Sequence, residues 1–256
     1  MNLLINIRIV LISITITLHL LQHHLFYHGI SKQIYIGLIY INNLIFNRQI
    51  NIHGNIEHLR KNKLLIMMNH YDGVLDWHII NNLYYKFNSN NMLHTIVKSN
   101  IVGDPEDRSF MSINMSYFKK SFINAANFIP YTRGNKEDGV VVKNKIVNSL
   151  NNDKNILIFP EGTTRRNGIP QDFKHGIFQL AIDNNLDILP ITLKFNKDIG
   201  IEKEDPLNFK VLFDNKADIY IHDILTSETE ECYKNKDYIG LKNKTLKLIC
   251  SPYNEF

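Results

Sequence analysis

Asn155-Ile156-Leu157-Ile158-Phe159-Pro160-Glu161-Gly162-Thr163-Thr164-Arg165-Arg166 passes from an apolar run straight into a dense polar cluster. The run Asn155 to Phe159 reads as a short buried strand. At its end a carboxylate, a glycine, two hydroxyls and two guanidinium groups crowd together. Gly162 lets the backbone approach a ligand closely, and the arginines present forked donors that suit phosphate. Upstream, Asn69-His70 with Asp76 follows a second apolar run, Leu64-Leu65-Ile66-Met67-Met68. Two polar clusters at two strand ends predict a site for an anionic substrate.

Working outward, strand-like and helix-like runs alternate from about Ile50 onward. Leu64 to Met68 reads as a buried strand and Asp76 to Phe87 as a helix, with Trp77, Ile80 and Tyr84 on one side. Strands are expected at Leu93–Val97, Asn127–Pro130, Asn155–Phe159, Ile188–Phe195, Phe209–Phe213 and Ile219–Ile224. Helices are expected at Arg108–Phe122, Asp138–Leu150, Lys174–Asn184 and Tyr238–Ile249. Such alternation predicts an α/β fold: a mixed, mostly parallel sheet flanked by helices, preceded by an N-terminal membrane-associated helical segment.

That N-terminal segment differs in kind. Ile9 to Ser31 contains no Lys, Arg, Asp or Glu, and about 20 such residues span a bilayer as a helix. Gln33 to Asn47 is a second charge-free stretch, short for a span and suited to an interface. One membrane anchor is the expectation, with an interfacial segment or a cleaved signal peptide as alternatives. Residues 1–50 are therefore assigned to the anchor and 51–256 to one catalytic domain. Arg8 and Lys32 flank the span almost evenly, so charge counting fixes no topology.

The net charge of +4 suits a phosphorylated ligand or an anionic membrane surface, and is too weak and dispersed to argue for nucleic acid. Two cysteines, Cys232 and Cys250, give neither a metal pattern nor a disulfide framework, and a cytosol-facing, reducing compartment is expected. No Gly-x-Ser-x-Gly elbow, phosphate-binding loop motif or dinucleotide fingerprint is present. No metal is expected; His23, His24 and His28 have no carboxylate or cysteine nearby. Asparagine is abundant throughout, so loops such as Asn88 to Asn91 are discounted as signals.

His70 stands at a strand end, where an imidazole can act as a general base. Asp76 is the partner expected to hold one ring N–H and stabilise the imidazolium. In isolation, the same residues read better as a helix-capping aspartate and an exposed loop histidine, because lone His/Asp pairs are common.

Four segments occur in order: Asn69-His70…Asp76, Phe128-Ile129-Pro130-Tyr131-Thr132-Arg133, Phe159 to Arg166, and Ile188-Leu189-Pro190-Ile191-Thr192-Leu193. Together they resemble the blocks of the glycerolipid acyltransferase family, the 1-acylglycerol-3-phosphate acyltransferases and their relatives. The likeness covers roughly Ile52 to Phe195. Phe173-Lys174-His175-Gly176 also resembles the helix start that follows the third block. The resemblance implies transfer of an acyl group from acyl-CoA, a co-substrate rather than a bound cofactor, to a lysophospholipid hydroxyl. The preferred reaction is lysophosphatidic acid to phosphatidic acid. Lysophosphatidylinositol, lysophosphatidylglycerol or glycerol 3-phosphate are alternative acceptors, and a catalytically silent lipid-binding protein is the alternative class. His70 and Asp76 would be catalytic. Arg133 would grip phosphate, and Glu161, Gly162, Thr163, Thr164, Arg165 and Pro190 would line the substrate site.

Several positions depart from the family pattern. Five residues, Tyr71 to Leu75, separate His70 from Asp76 where the family has four, and Asp72 is the alternative partner. Thr164 stands where the family arginine often follows Glu-Gly-Thr, so Arg165 or Arg166 must reach back by one position. Two roles stay open for Glu161: a substrate contact, or a structural carboxylate that accepts backbone N–H groups at the turn. Pro190 likewise either shapes the substrate wall or is a strand proline of the core. Lys98 resembles a family lysine near the site and reads better as a solvated surface lysine.

Overall fold

The computed structural model describes residues 49–71, 73–88, 93–99, 127–132, 134–164, 170–195 and 216–253. Residues 1–48, with the charge-free stretches, lie outside them, as do Asp72, Arg133, Arg165, Arg166 and the expected elements at 108–122 and 209–213. No helix among the described residues is long and apolar enough to cross a membrane.

The chain divides into two compact units, residues 1–47 with 97–133 and residues 48–96 with 134–256. Seven strands form one sheet: β1 (Gln49–Gly54), β2 (Leu65–Met68), β3 (His94–Lys98), β4 (Phe128–Tyr131), β5 (Ile156–Ile158), β6 (Ile188–Phe195) and β7 (Lys216–Ile221). Their order across the sheet is β1-β7-β6-β2-β5-β3-β4. β3 enters the smaller unit at Val97; within that unit the hydroxyls of Ser99 and Thr132, just beyond β3 and β4, are 3.2 Å apart.

In the larger unit β2 is central. It pairs in parallel with β5 on one side (Leu65 opposite Ile156) and with β6 on the other (Leu65 opposite Ile188). Leu65, Ile66, Met67 and Met68 are all buried. A strand covered on both faces and both edges needs no polar alternation, which is why its sequence is a continuous apolar run. β6 and β7 pair antiparallel from Ile191–Ile221 to Phe195–Ala217, and β1 lies parallel to β7. The sheet is thus mixed and mostly parallel. β1 was not anticipated: Gln49-Ile50-Asn51-Ile52 alternates, but its residues 51–54 are exposed at the sheet's edge and carry a weak apolar signal.

Helices α1 (Gly73–Phe87), α2 (Lys136–Asn151), α3 (Gly176–Asp183), α4 (Glu231–Lys234) and α5 (Tyr238–Cys250) supply the covering layers. α2 opens on Asn135, whose side chain accepts from the N–H groups of Glu137 and Asp138. α5 opens on Asp237, which accepts from Gly240 N–H. α5 packs on α3 and β6 and ends in a 3₁₀ turn, Ser251–Tyr253.

A buried asparagine aligns the strands at their starting ends. Asn155 Oδ1 accepts from Leu64 N–H at 2.8 Å, and its Nδ2 donates to Lys61 O at 2.7 Å and Tyr84 Oη at 3.1 Å. The amide thereby ties the approach to β2, the start of β5 and helix α1. Burial pushes the Tyr84 phenol up to about 12, so it is neutral at physiological pH. Asn88, discounted on composition, is also buried and donates to Leu59 O at 2.9 Å.

Candidate active site

The parallel strands run in one direction, so β2 and β5 deliver their next residues to the same end of the sheet. Those residues are Asn69-His70 after β2 and Phe159-Pro160-Glu161 after β5.

Asn69 is where β2 stops being a strand. The β2–β6 ladder reaches Met68 opposite Ile191. Beyond it the Asn69 amide takes over: Oδ1 accepts from Leu193 N–H at 2.8 Å, and Nδ2 donates to Leu193 O at 2.9 Å. The side chain occupies the place a strand backbone would have taken, and the backbone itself is free to turn. Tyr71, just beyond, lies against Phe195, ring centroids 4.6 Å apart.

The turn presents His70. Its Nδ1 lies 3.0 Å from Asp76 Oδ2. Asp76 is fully buried and sits in the first turn of α1, where the helix dipole favours a negative charge. The sequence reading started this helix at Asp76; it starts at Gly73, three residues earlier. The early start accommodates the five-residue spacer, because helical residues advance only about 1.5 Å each and the carboxylate stays near the strand end. A carboxylate accepts, so Nδ1 carries the hydrogen and the neutral ring keeps its basic lone pair on Nε2. Phe159 stacks on the imidazole at 4.0 Å between centroids, 19° from parallel, and restrains the ring plane.

Glu161 stands behind this pair. It is buried, and its oxygens accept two backbone N–H groups, His70 at 2.8 Å through Oε1 and Gln171 at 3.3 Å through Oε2. Of the two roles left open by the sequence, the geometry displays the N–H acceptor, a carboxylate that locks the loop after β5 to the residue after β2. Gly162 donates to Phe159 O at 3.0 Å and has φ +69°, a left-handed conformation that favours glycine. Thr163 and Thr164 follow on this turn, half-buried and exposed respectively. Arg165 and Arg166 lie outside the described residues, as does Arg133.

Pro190 is buried in β6, opposite Met67. β6 is an interior strand, and its pairing on the β7 side is broken there, between the Ile188–Leu225 bridge and the Ile191–Ile221 ladder. The proline's missing N–H falls in that break, while its carbonyl accepts from His222 N–H at 3.1 Å. Lys174 is exposed, and its N–H donates to Pro160 O at 2.8 Å just ahead of α3. Lys98 is partly exposed at the end of β3 in the smaller unit.

Sequence reasoning missed the 3₁₀ turn after α5. Tyr253 Oη donates to Leu193 O at 2.8 Å and receives Asn69 Nδ2 at 3.2 Å. Burial, then the charge of Asp76, and further that of Glu161, push this phenol well above its usual range, against the opposing bond from Asn69. Cys250 is raised too, by burial and then by the charge of Glu161. Tyr253 thus feels both carboxylates of the site, and Cys250, the last residue of α5, feels Glu161. Its sequence, Ser251-Pro252-Tyr253, carries no motif that could have announced it.

The chain has matches among known families, proteins and solved structures. The Acyltransferase family model matches residues 49–194, more than half of the chain. The mouse (Mus musculus) protein named 1-acyl-sn-glycerol-3-phosphate acyltransferase alpha is 32% identical over 80 residues, 31% of this chain and 28% of its own length. A Borreliella burgdorferi protein named 1-acyl-sn-glycerol-3-phosphate acyltransferase is 31% identical over 78 residues, 30% of this chain and 28% of its own length. The chain thus covers little more than a quarter of these relatives. The crystal structure of the 1-acyl-sn-glycerophosphate (LPA) acyltransferase PlsC from Thermotoga maritima superposes with a TM-score of 0.57 over 96% of this chain and 95% of that one. At 15% identity that likeness speaks for the fold alone. The His70–Asp76 pair, the Glu161 turn and β1 through β6 to Lys194 all fall inside the span matched by the family model, and the chain belongs to the Acyltransferase family.

Proposed function

We propose that the protein transfers an acyl group from acyl-CoA to the free hydroxyl of lysophosphatidic acid, giving phosphatidic acid and free coenzyme A. The observation that carries this reading is the 3.0 Å contact between His70 Nδ1 and the buried Asp76 carboxylate, which leaves Nε2 as the base. In the proposed reaction Nε2 takes the proton of the acceptor hydroxyl as its oxygen attacks the thioester carbonyl. The new ester C–O bond forms, the C–S bond breaks, and the imidazolium returns its proton to the departing thiolate. Asp76 stabilises the transient imidazolium. No acyl-enzyme is required, because the base acts on the acceptor itself.

Lysophosphatidic acid is preferred because two relatives carry that acceptor's chemistry in their names. Arg133 and Arg165, with the hydroxyls of Thr163 and Thr164, are proposed to hold the acceptor phosphate, and Pro190 to shape the wall behind it; these roles rest on the sequence blocks. The charge-free stretch Ile9 to Ser31 is proposed to hold the chain at a membrane with the site facing the cytosol.

The test uses the full chain in detergent with acyl-CoA and a panel of lysophospholipids, following thiol release. Release should require an acceptor and should be greatest with lysophosphatidic acid. We expect His70→Ala to abolish it. Release without acceptor would mark a thioesterase, and silence across the panel would mark a lipid-binding protein. For Arg133→Ala, the acceptor KM should rise more than the acyl-CoA KM; equal dependence would remove Arg133 from the site.

A further inference from the structure

The turn Ser251–Tyr253 lies outside the segment shared with the family model, yet it touches the residue next to His70. The contact is closed on all sides. Leu193 O accepts from both Asn69 Nδ2 and Tyr253 Oη, and Asn69 Nδ2 also donates to that phenol. Leu193 N–H is taken by Asn69 Oδ1. Asn69 is buried, so each of these groups would be stranded without its partner. The turn itself is anchored independently, by Lys194 Nζ donating to Pro252 O at 2.6 Å, with that ammonium 5.5 Å from the Tyr253 ring centroid.

Asn69 decides where β2 ends, and the end of β2 decides where the His70 ring meets Asp76 and Phe159. The phenol is the only tie among the described side-chain hydrogen bonds between that asparagine and the turn after α5. It stays protonated in the field of two carboxylates, so it remains a donor to Leu193 O across the working pH range.

We propose that Tyr253 is a positioning residue for His70, acting through Asn69 and Leu193 to fix the point at which β2 releases the chain. This rests on the functional reading above. The phenol touches neither substrate nor reacting atoms in this account. Its effect is on the fraction of molecules in which the imidazole is held against Asp76, so it bears on turnover rather than on substrate binding.

The experiment compares Tyr253→Phe with Tyr84→Phe in the full chain. Each change removes one hydroxyl from a phenol bonded to a buried asparagine and keeps the ring. Three readouts are taken: thermal midpoint, kcat with KM for both substrates, and the downfield NMR proton shared by His70 Nδ1 and Asp76. For Tyr253→Phe we expect kcat to fall about 10-fold with both KM values nearly unchanged, and the shared proton to broaden or exchange faster. Tyr84→Phe should lower the thermal midpoint comparably while leaving kcat and the proton as in the wild type. An unaltered kcat and proton in Tyr253→Phe would overturn the proposal. So would an equal loss of kcat in both variants, which would mean general loosening. Should the wild type turn over no substrate, the functional reading falls, and the His70 proton alone still decides the positioning role.

Discussion

Two buried asparagines stand at opposite ends of the same strands and do nearly the same thing. Asn155, at the starting end, holds Leu64 N–H, Lys61 O and the phenol of Tyr84. Asn69, at the far end, holds Leu193 N–H, Leu193 O and the phenol of Tyr253. Each amide spends its acceptor and its donors on backbone groups that a strand has left behind, and each finishes on a tyrosine. The difference lies in what comes next in the chain. Asn155 is followed by Ile156, which enters the core. Asn69 is followed by His70, which meets a buried carboxylate. Tyr84 is raised by burial alone, whereas Tyr253 also feels Asp76 and Glu161. One device serves architecture at one end and chemistry at the other, and only the neighbours tell which.

The comparison breaks most sharply at the chemical end. Asp76→Asn keeps the size of the side chain and removes the charge that fixes the Nδ1 tautomer. We expect kcat to fall by about 10²–10⁴-fold with the fold intact, read by thiol release alongside a thermal melt. Activity within a fewfold of wild type would remove Asp76 from the mechanism. At the architectural end the expectation reverses. Asn155→Ala strands Leu64 N–H and Lys61 O, and should cost about 3 kcal/mol in a denaturant titration. Turnover per folded molecule should barely change. A kcat loss in Asn155→Ala as deep as that of Asp76→Asn would mean that the two ends are not separable.

The same pair shows what could be read from the sequence. The strands β2 and β5 and the opening Ile188–Ile191 of β6 were legible because they are buried and apolar throughout. The blocks around His70 and Glu161 were legible because they hold rare residue types at fixed positions. The start of α1 was not, since Gly73 disguises a helix beginning ahead of Asp76. Nor were the roles of Asn155, Asn69 and Asn88, because in an asparagine-rich chain burial of an amide depends on backbone groups far away in sequence. Asn69 reaches Leu193 and Asn155 reaches back to Leu64, separations of 124 and 91 residues. Tyr253 needed the closing of α5 against β6 before it had any neighbour to speak of.

Each end also carries a partly buried histidine whose pKa burial lowers, and acid should probe the two together. His94 opens β3 beside the Asn155 backbone, its N–H donating to Asn155 O, and its Nδ1 lies 3.3 Å from Ser149 Oγ. Burial, and then the nearby Lys154 charge, lower its pKa. His222 lies at the other end, with Nε2 2.9 Å from Thr192 Oγ1. The Thr192 hydroxyl donates to Ile249 O, so Nε2 must donate to it. Burial lowers His222 as well, opposed by Asp223. For both, the folded pKa lies below the unfolded value of about 6.5, so below that pH the unfolded chain binds more protons and unfolding is favoured. Stability contributed by these two groups should therefore be full above about pH 6.5 and fall as pH drops through the window down to their folded values. Denaturant midpoints measured between pH 7.5 and 5 should decline, and His94→Gln and His222→Gln should each flatten the decline. If both ends are built alike, the two flattenings add, because the sites share no partner. A slope unchanged in His222→Gln alone would mean that the far end opens to protons before the protein unfolds, a looseness the near end lacks.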